Sequence, residues 1–198
     1  MHIFSCIFGN PMLTNGTASV ISFIDFSYGA GSNREVVNED SPVADPKGNP
    51  RSERLINAEA IVRENGGACL RLAGLYTLER GAHNFWLSSG KDVSGREDGI
   101  INLLHYDDAA GSCLAALSVG PSVVSGRNFL ISDGHPMTRK EIIQSALKAK
   151  MYRGMDMPKF LGSDSDPVGK IYDGSASNLA LKWDPRYISF DSFMSSQS

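Results

Sequence analysis

At 198 residues, the chain has the length of one domain or of two small ones. Its 41% hydrophobic and 21% charged residues suit a buried core and exclude a disordered chain. Nineteen Lys+Arg against 22 Asp+Glu leave a net charge of −3, no basic field for nucleic acid or an anionic membrane, and no apolar run reaches the ~20 residues of a membrane-spanning helix.

In chain order, residues 1–18 read as an irregular amino-terminal segment: Gly9-Asn10-Pro11 interrupts its apolar character, and it lacks the Lys/Arg cluster of a secretory leader. Asn15-Gly16-Thr17 fits a glycosylation sequon with no secretory context behind it. Cys6, Cys69 and Cys113 cannot all pair and read as reduced thiols of an intracellular protein. Val20–Phe26, β-branched and aromatic, predicts a buried strand. Ser27–Asn49, rich in Gly, Ser, Asn, Asp and Pro, predicts a long functional loop. Arg51–Asn65 predicts a helix with Leu55, Ala58 and Val62 on its buried face, ended by Gly66-Gly67. Ala68–Tyr76 is a near-continuous apolar run, the pattern of a parallel strand covered on both sides.

Strand, loop, helix, glycine cap and strand make the βαβ rhythm of an α/β sheet. It continues with a short strand at Ile100–His105 and a helix capped by Asp107 or Asp108. A strand at Asn128–Ser132 comes next, then a helix opened by the Thr138–Glu141 capping box and burying Ile142, Ile143, Ala146 and Leu147. Lys170–Tyr172, Ala176–Leu181 and Ser189–Met194 predict a last short strand and two helical turns.

The motifs are weighed against simpler roles. Gly29-Ala30-Gly31 begins like a dinucleotide-binding turn, but Arg34 stands where the third glycine belongs and Pro42 arrives before a helix can form. A flexible turn is the favoured reading. The four histidines have no metal-ligand spacing, so no metal is expected. His105 with Asp107 and Asp108 reads either as an acid and its orienter or, preferentially, as a strand end beside a helix cap.

Several segments in one order resemble the extended short-chain dehydrogenase/reductases, the NAD(P)-dependent epimerase/dehydratase family, and most of all an atypical branch of it. They are Ser27-Tyr28-Gly29, Glu39-Asp40-Ser41-Pro42, the helix start Pro50–Arg54 running to Ala58-Glu59, Arg71–Tyr76, Asn102–Ala110 and Trp183-Asp184-Pro185-Arg186-Tyr187. The resemblance covers about Ser19 to Met194. It implies an α/β fold: an incomplete Rossmann-like parallel sheet with helices in residues 19–198, plus a small carboxyl-terminal substrate-side α/β region. It also implies NAD or NADP as cofactor, a sugar nucleotide or similar polar metabolite as substrate, and hydride transfer as the reaction.

Residue by residue, the resemblance makes Ser27 and Tyr28 the catalytic candidates and lays Leu72, Ala73 and Gly74 along the cofactor. Arg80, His83 and His105 fall on the substrate side, where Arg80 and His83 would neutralise an anion. Two departures stand out. The opening βαβ units that grip the diphosphate have no room before Val20, so the chain is expected to be a truncated piece that binds NAD(P) weakly or not at all. The family's Tyr-x-x-x-Lys pair is absent: counted back from Glu59, its slots hold Arg51 and Leu55. An inactive chain is therefore expected, with a non-catalytic binding or scaffold protein as the alternative and a non-redox isomerase or hydrolase as a weaker third option. A small-molecule partner is expected, nucleic acid and membrane are not, and homo-oligomerisation stays open. Bared strand edges predict poor solubility or dependence on a partner.

Overall fold

The computed structural model describes residues 6–8, 19–23, 33–43, 45 and 50–198. The chain opens with β1 (Cys6–Phe8), β2 (Ser19–Phe23) and β3 (Val36–Val37). Then come α1 (Pro50–Glu64), β4 (Ala68–Leu72), β5 (Gly74–Tyr76) and α2 (Ala82–Ser88). The middle of the chain supplies β6 (Ile100–Ile101), β7 (Leu103–His105), α3 (Tyr106–Ser118), α4 (Pro121–Val124) and β8 (Asn128–Ile131). The last part holds β9 (Met137–Thr138), α5 (Arg139–Ala146), β10 (Ile171–Tyr172), α6 (Ser175–Leu181) and α7 (Phe190–Ser195).

The main sheet has the order β1-β2-β4-β8. Its last three strands are parallel, with Ser19 opposite Ala68 and Cys69 opposite Asn128. β1 runs antiparallel along the outer side of β2, so residues 6–8 of the segment read as irregular form an edge strand. The whole of β4 is buried, as a strand covered on both faces requires. Side chains alternate across it: Leu70 and Leu72 join a core with α3, α4 and α6, while Cys69 and Arg71 meet α1.

The predicted run Ala68–Tyr76 divides at Ala73. The Ala73 N–H still reaches Ile131 of β8, but the Gly74 N–H turns to Asn102, and β5 pairs in parallel with β7. Asn102 divides Ile100–His105 in the same way: its side chain donates to the Lys170 carbonyl and accepts the Tyr172 N–H, tying the break to β10. β6 pairs with β9 and β3 with β10. These short pairs build a second core of Tyr76, Leu103, Ile142, Ala146, Tyr152, Phe190 and Met194 beside the main sheet.

Local signals behave as chemistry dictates. Gly66 adopts a positive φ of 75° after α1, a conformation that glycine takes without a Cβ penalty. Thr138 and Glu141 close both halves of the capping box. Helix α3 is capped not by an aspartate but by His105, whose Nδ1 accepts the Asp107 N–H at 3.1 Å. The buried face of α1 also differs from the pattern read from its apolar residues. Ala58 is exposed, and Ser52 and Glu59 are buried, because Arg71 lies beneath the helix.

Candidate functional site

In open α/β sheets, ligands bind outside the carboxyl ends of the parallel strands. Here that rim is formed by the ends of β2, β4 and β8, with α1 alongside. Arg71 ties the helix to β4: its Nη2 donates to Glu59 Oε2 at 2.8 Å and its Nε to Oε1 at 3.4 Å, with both side chains almost wholly buried. Since 3.6 residues complete a turn, positions 55 and 51 lie one and two turns back on the same side of α1. Leu55 packs against the sheet core, so the slot that holds a lysine in the resembling enzymes contains an apolar side chain. Leucine supplies neither a charge nor a proton there.

At the rim itself, Leu72 and Ala73 are buried and Gly74 is exposed. A Cβ on Gly74 would come within 3.1 Å of the Asn102 carbonyl, so the close passage of β5 over β7 depends on glycine. Leu72 and Ala73 are thus closed to a ligand, and of the three only Gly74 is open at this rim. The catalytic candidates Ser27 and Tyr28 lie outside the described residues. So does Gly29-Ala30-Gly31. Beyond it, Arg34 adopts a positive φ of 57° and the chain enters β3, not a helix, so no helix amino terminus follows that turn. Among the described residues, none forms a glycine-rich turn that leads from a sheet strand into a helix, the arrangement that cradles a diphosphate.

The substrate-side candidates separate. Arg80 is exposed in the turn after β5, where its carbonyl accepts the Thr77 N–H. His83, expected to face an anion, is 1% exposed instead. Its Nε2 lies 3.0 Å from the Leu78 carbonyl and its ring packs edge-on against Tyr152 and Phe190. Burial holds it below the usual histidine range, so it is neutral and serves as a core group. His105 is also buried. Desolvation lowers it despite the opposing influence of Asp107 and Asp108, and its capping Nδ1 must be the unprotonated nitrogen. Its ring lies 3.9 Å from that of Tyr187 and meets Tyr76 edge-on at 5.3 Å. Thus His83 and His105 flank one aromatic group around Tyr76 and Phe190, and Arg80 stands apart from it.

Sequence reading passed over Asp133 and the Tyr76 hydroxyl in this neighbourhood and took Asp108 for a helix cap or an orienter of His105. Asp133, just past β8, is buried and pushed up to about 7, chiefly by desolvation. Asp108 accepts the Arg186 and Tyr187 N–H groups at 2.7 and 3.0 Å. The Tyr76 hydroxyl is buried without a hydrogen-bond partner. A usable signal existed for the Arg71–Glu59 pair alone: a charge inside a fully buried strand needs a counter-charge.

No protein-family model matches the sequence, and no curated protein does. Solved structures do match the fold. The chain is similar to MoeE5 in complex with UDP-glucuronic acid and NAD, at 14% identity and a TM-score of 0.67, over 89% of this chain and 62% of that one. It is similar to dTDP-glucose 4,6-dehydratase from Bacillus anthracis in complex with NAD, at 14% identity and 0.66, over 90% and 60%. It is also similar to UDP-glucose 4-epimerase from Thermotoga maritima with UDP-glucose, at 19% identity and 0.64, over 89% and 61%. The chain thus has a partial Rossmann-like α/β fold shared with these enzymes and spans about 60% of their length.

Proposed function

We propose that this chain is the substrate-side part of an NAD(P)-dependent epimerase, dehydratase or reductase of the sugar-nucleotide type, and that alone it does not turn substrate over. The carrying observation is the parallel order β2-β4-β8, with Leu72–Gly74 at its carboxyl rim and Leu55 in place of a lysine. NAD or NADP would pass that rim at Gly74 and supply hydride transfer when bound. Ser27 would orient a carbonyl or hydroxyl, Tyr28 would hold or give the proton, and exposed Arg80 would meet an anionic group of the substrate. Of the two histidines, His105 would keep the substrate-side place, with the Tyr187 ring tilted against it.

Leu55 also favours a second reading, a binding protein that retained the fold without the proton-transfer pair. A fluorescence titration of the whole chain with NADH and with NADPH tests the claim of inactivity. No saturation is expected in the micromolar range. A micromolar Kd for either nucleotide overturns it.

A further inference from the structure

From Ala109 to Gly126 the chain carries no charged residue, and most of this stretch is helix α3 with the short α4 behind it. One side of α3 belongs to the main core: Ala109, Ser112 and Ala116 are buried, and Cys113 and Ala115 pack against that core. A second side is covered from α6. Trp183, just beyond it, lies so near that a Cβ on Gly111 would meet its Nε1 at 3.1 Å. The remaining side is open. Tyr106, Ala110, Leu114 and Leu117 share it at the i, i+4, i+8 and i+11 positions, with Leu114 and Leu117 65% and 62% exposed. On α6, which packs beside α3, Leu179 is 81% exposed. A solvated helix face is ordinarily polar and charged, so exposed leucines on two adjoining helices mark an interaction surface.

Opposite charges stand at the two ends of this strip. Asp107 is exposed in the first turn of α3, where its Oδ2 accepts the Tyr187 hydroxyl at 3.2 Å. At the far end Arg127 is exposed, and its Nη1 donates to the Val123 carbonyl of α4 at 3.0 Å. Its guanidinium lies 5.1 Å from the centre of the Phe129 ring. Val123 and Phe129 both belong to the main core, so the cation is held on the α3 side of the sheet. Among the described residues, Arg127 makes no ion pair. Asp107 and Leu114 are about 10 Å apart along the helix axis at 1.5 Å per residue, and as many residues again reach Pro121, where α4 starts. Leu114 is thus the midpoint of an apolar strip with a carboxylate at one end and a guanidinium at the other.

We propose that this face joins two copies of the chain, with α3 packed antiparallel against α3 of the second copy about a two-fold axis at Leu114. A two-fold interface uses the same patch on both copies, so the patch must be complementary to itself. The apolar strip meets that condition in either direction, but its charges meet it in one. Packed antiparallel, Asp107 of each copy comes to the Arg127 end of the other. Packed parallel, Asp107 would face Asp107. The antiparallel sense also sets each helix amino terminus beside the carboxyl terminus of its mate, which the helix dipoles favour. Leu114 and Leu117 fill the centre, Leu179 extends it, and exposed Lys182 and Asp184 after α6 supply a polar rim. The dimer is independent of the enzymatic reading above.

Sedimentation equilibrium of the whole chain at micromolar concentration should give twice the mass of one chain. Leu114→Glu changes a side chain that the fold leaves exposed, so it should give the single-chain mass with an unchanged far-ultraviolet spectrum. Arg127→Glu sets like charges together twice per dimer and should weaken association about tenfold. Adding Asp107→Lys to it should restore the dimer. Leu114→Cys should form a disulfide-linked dimer on mild oxidation, because the axis brings the residue opposite its own copy. Ile188→Cys, 66% exposed and outside the strip, should not, and the wild type gives the background of the native cysteines. A single-chain mass for the wild type overturns the proposal, as does a dimer that persists in Leu114→Glu or a double reversal no tighter than Arg127→Glu alone. Where a variant does not fold or the chain associates further, the cross-link decides: no linked dimer from Leu114→Cys above that background, or as much from Ile188→Cys, overturns it.

Discussion

The two cores of this molecule solve burial differently. Around β4 the interior is aliphatic, with Leu70, Leu72, Leu104, Leu130 and Ile131 joined by Phe129, and its charges are matched as Arg71 with Glu59. The second core is aromatic and titratable. His83 and the Tyr152 hydroxyl both reach the Leu78 carbonyl, Tyr76 packs edge-on against Phe190, and Asp133 is buried just past β8. Continuous parallel strands satisfy their own backbone, so that core needs little beyond apolar side chains. A core assembled from two- and three-residue strands leaves more polar backbone to satisfy, and side chains such as Asn102, His105 and Asp108 take over that work.

The comparison can be broken first at its strongest point. Arg71→Met removes the guanidinium facing buried Glu59 and should destabilise the whole chain by about 3–5 kcal/mol. Urea unfolding followed by far-ultraviolet circular dichroism measures it, and replacing both partners by apolar residues should cost clearly less. Phe190→Ala empties the centre of the second core, for a loss of about 3–5 kcal/mol. Its near-ultraviolet tyrosine signal should melt before the far-ultraviolet signal if the sheet holds independently; coincident transitions would show one cooperative unit. The smallest effect belongs to Thr138→Ala, which removes the cap of α5 and should cost about 1 kcal/mol in the same assay.

Legibility followed the same division. The helix at Arg51–Asn65, the strand at Ala68, the strand at Asn128 and the capping box were readable because each is encoded by neighbours in sequence. The pairs β3–β10, β6–β9 and β5–β7 were not. A strand of two or three residues has too short a pattern to register, and its partner lies far away along the chain. The same reason hid the true face of α1, since nothing in the helix itself announces that Arg71 will lie beneath Glu59. At the candidate site, the run carrying Leu72–Gly74 was readable as strand, but its division into β4 and β5 was not. His83 and His105 were identifiable as residues worth weighing, but their burial was not.

By itself, the order of apolar runs, glycine caps and helical segments determined a βαβ sheet. These depend on periodicity and spacing, which are local properties of the chain. Only the tertiary structure decided which charges are solvated and which are enclosed. It made His83 a neutral core residue, turned His105 into a helix cap and left Asp133 with an unpaired oxygen. The physical reason is that proton affinity depends on dielectric and partners, and both are supplied by segments remote in sequence.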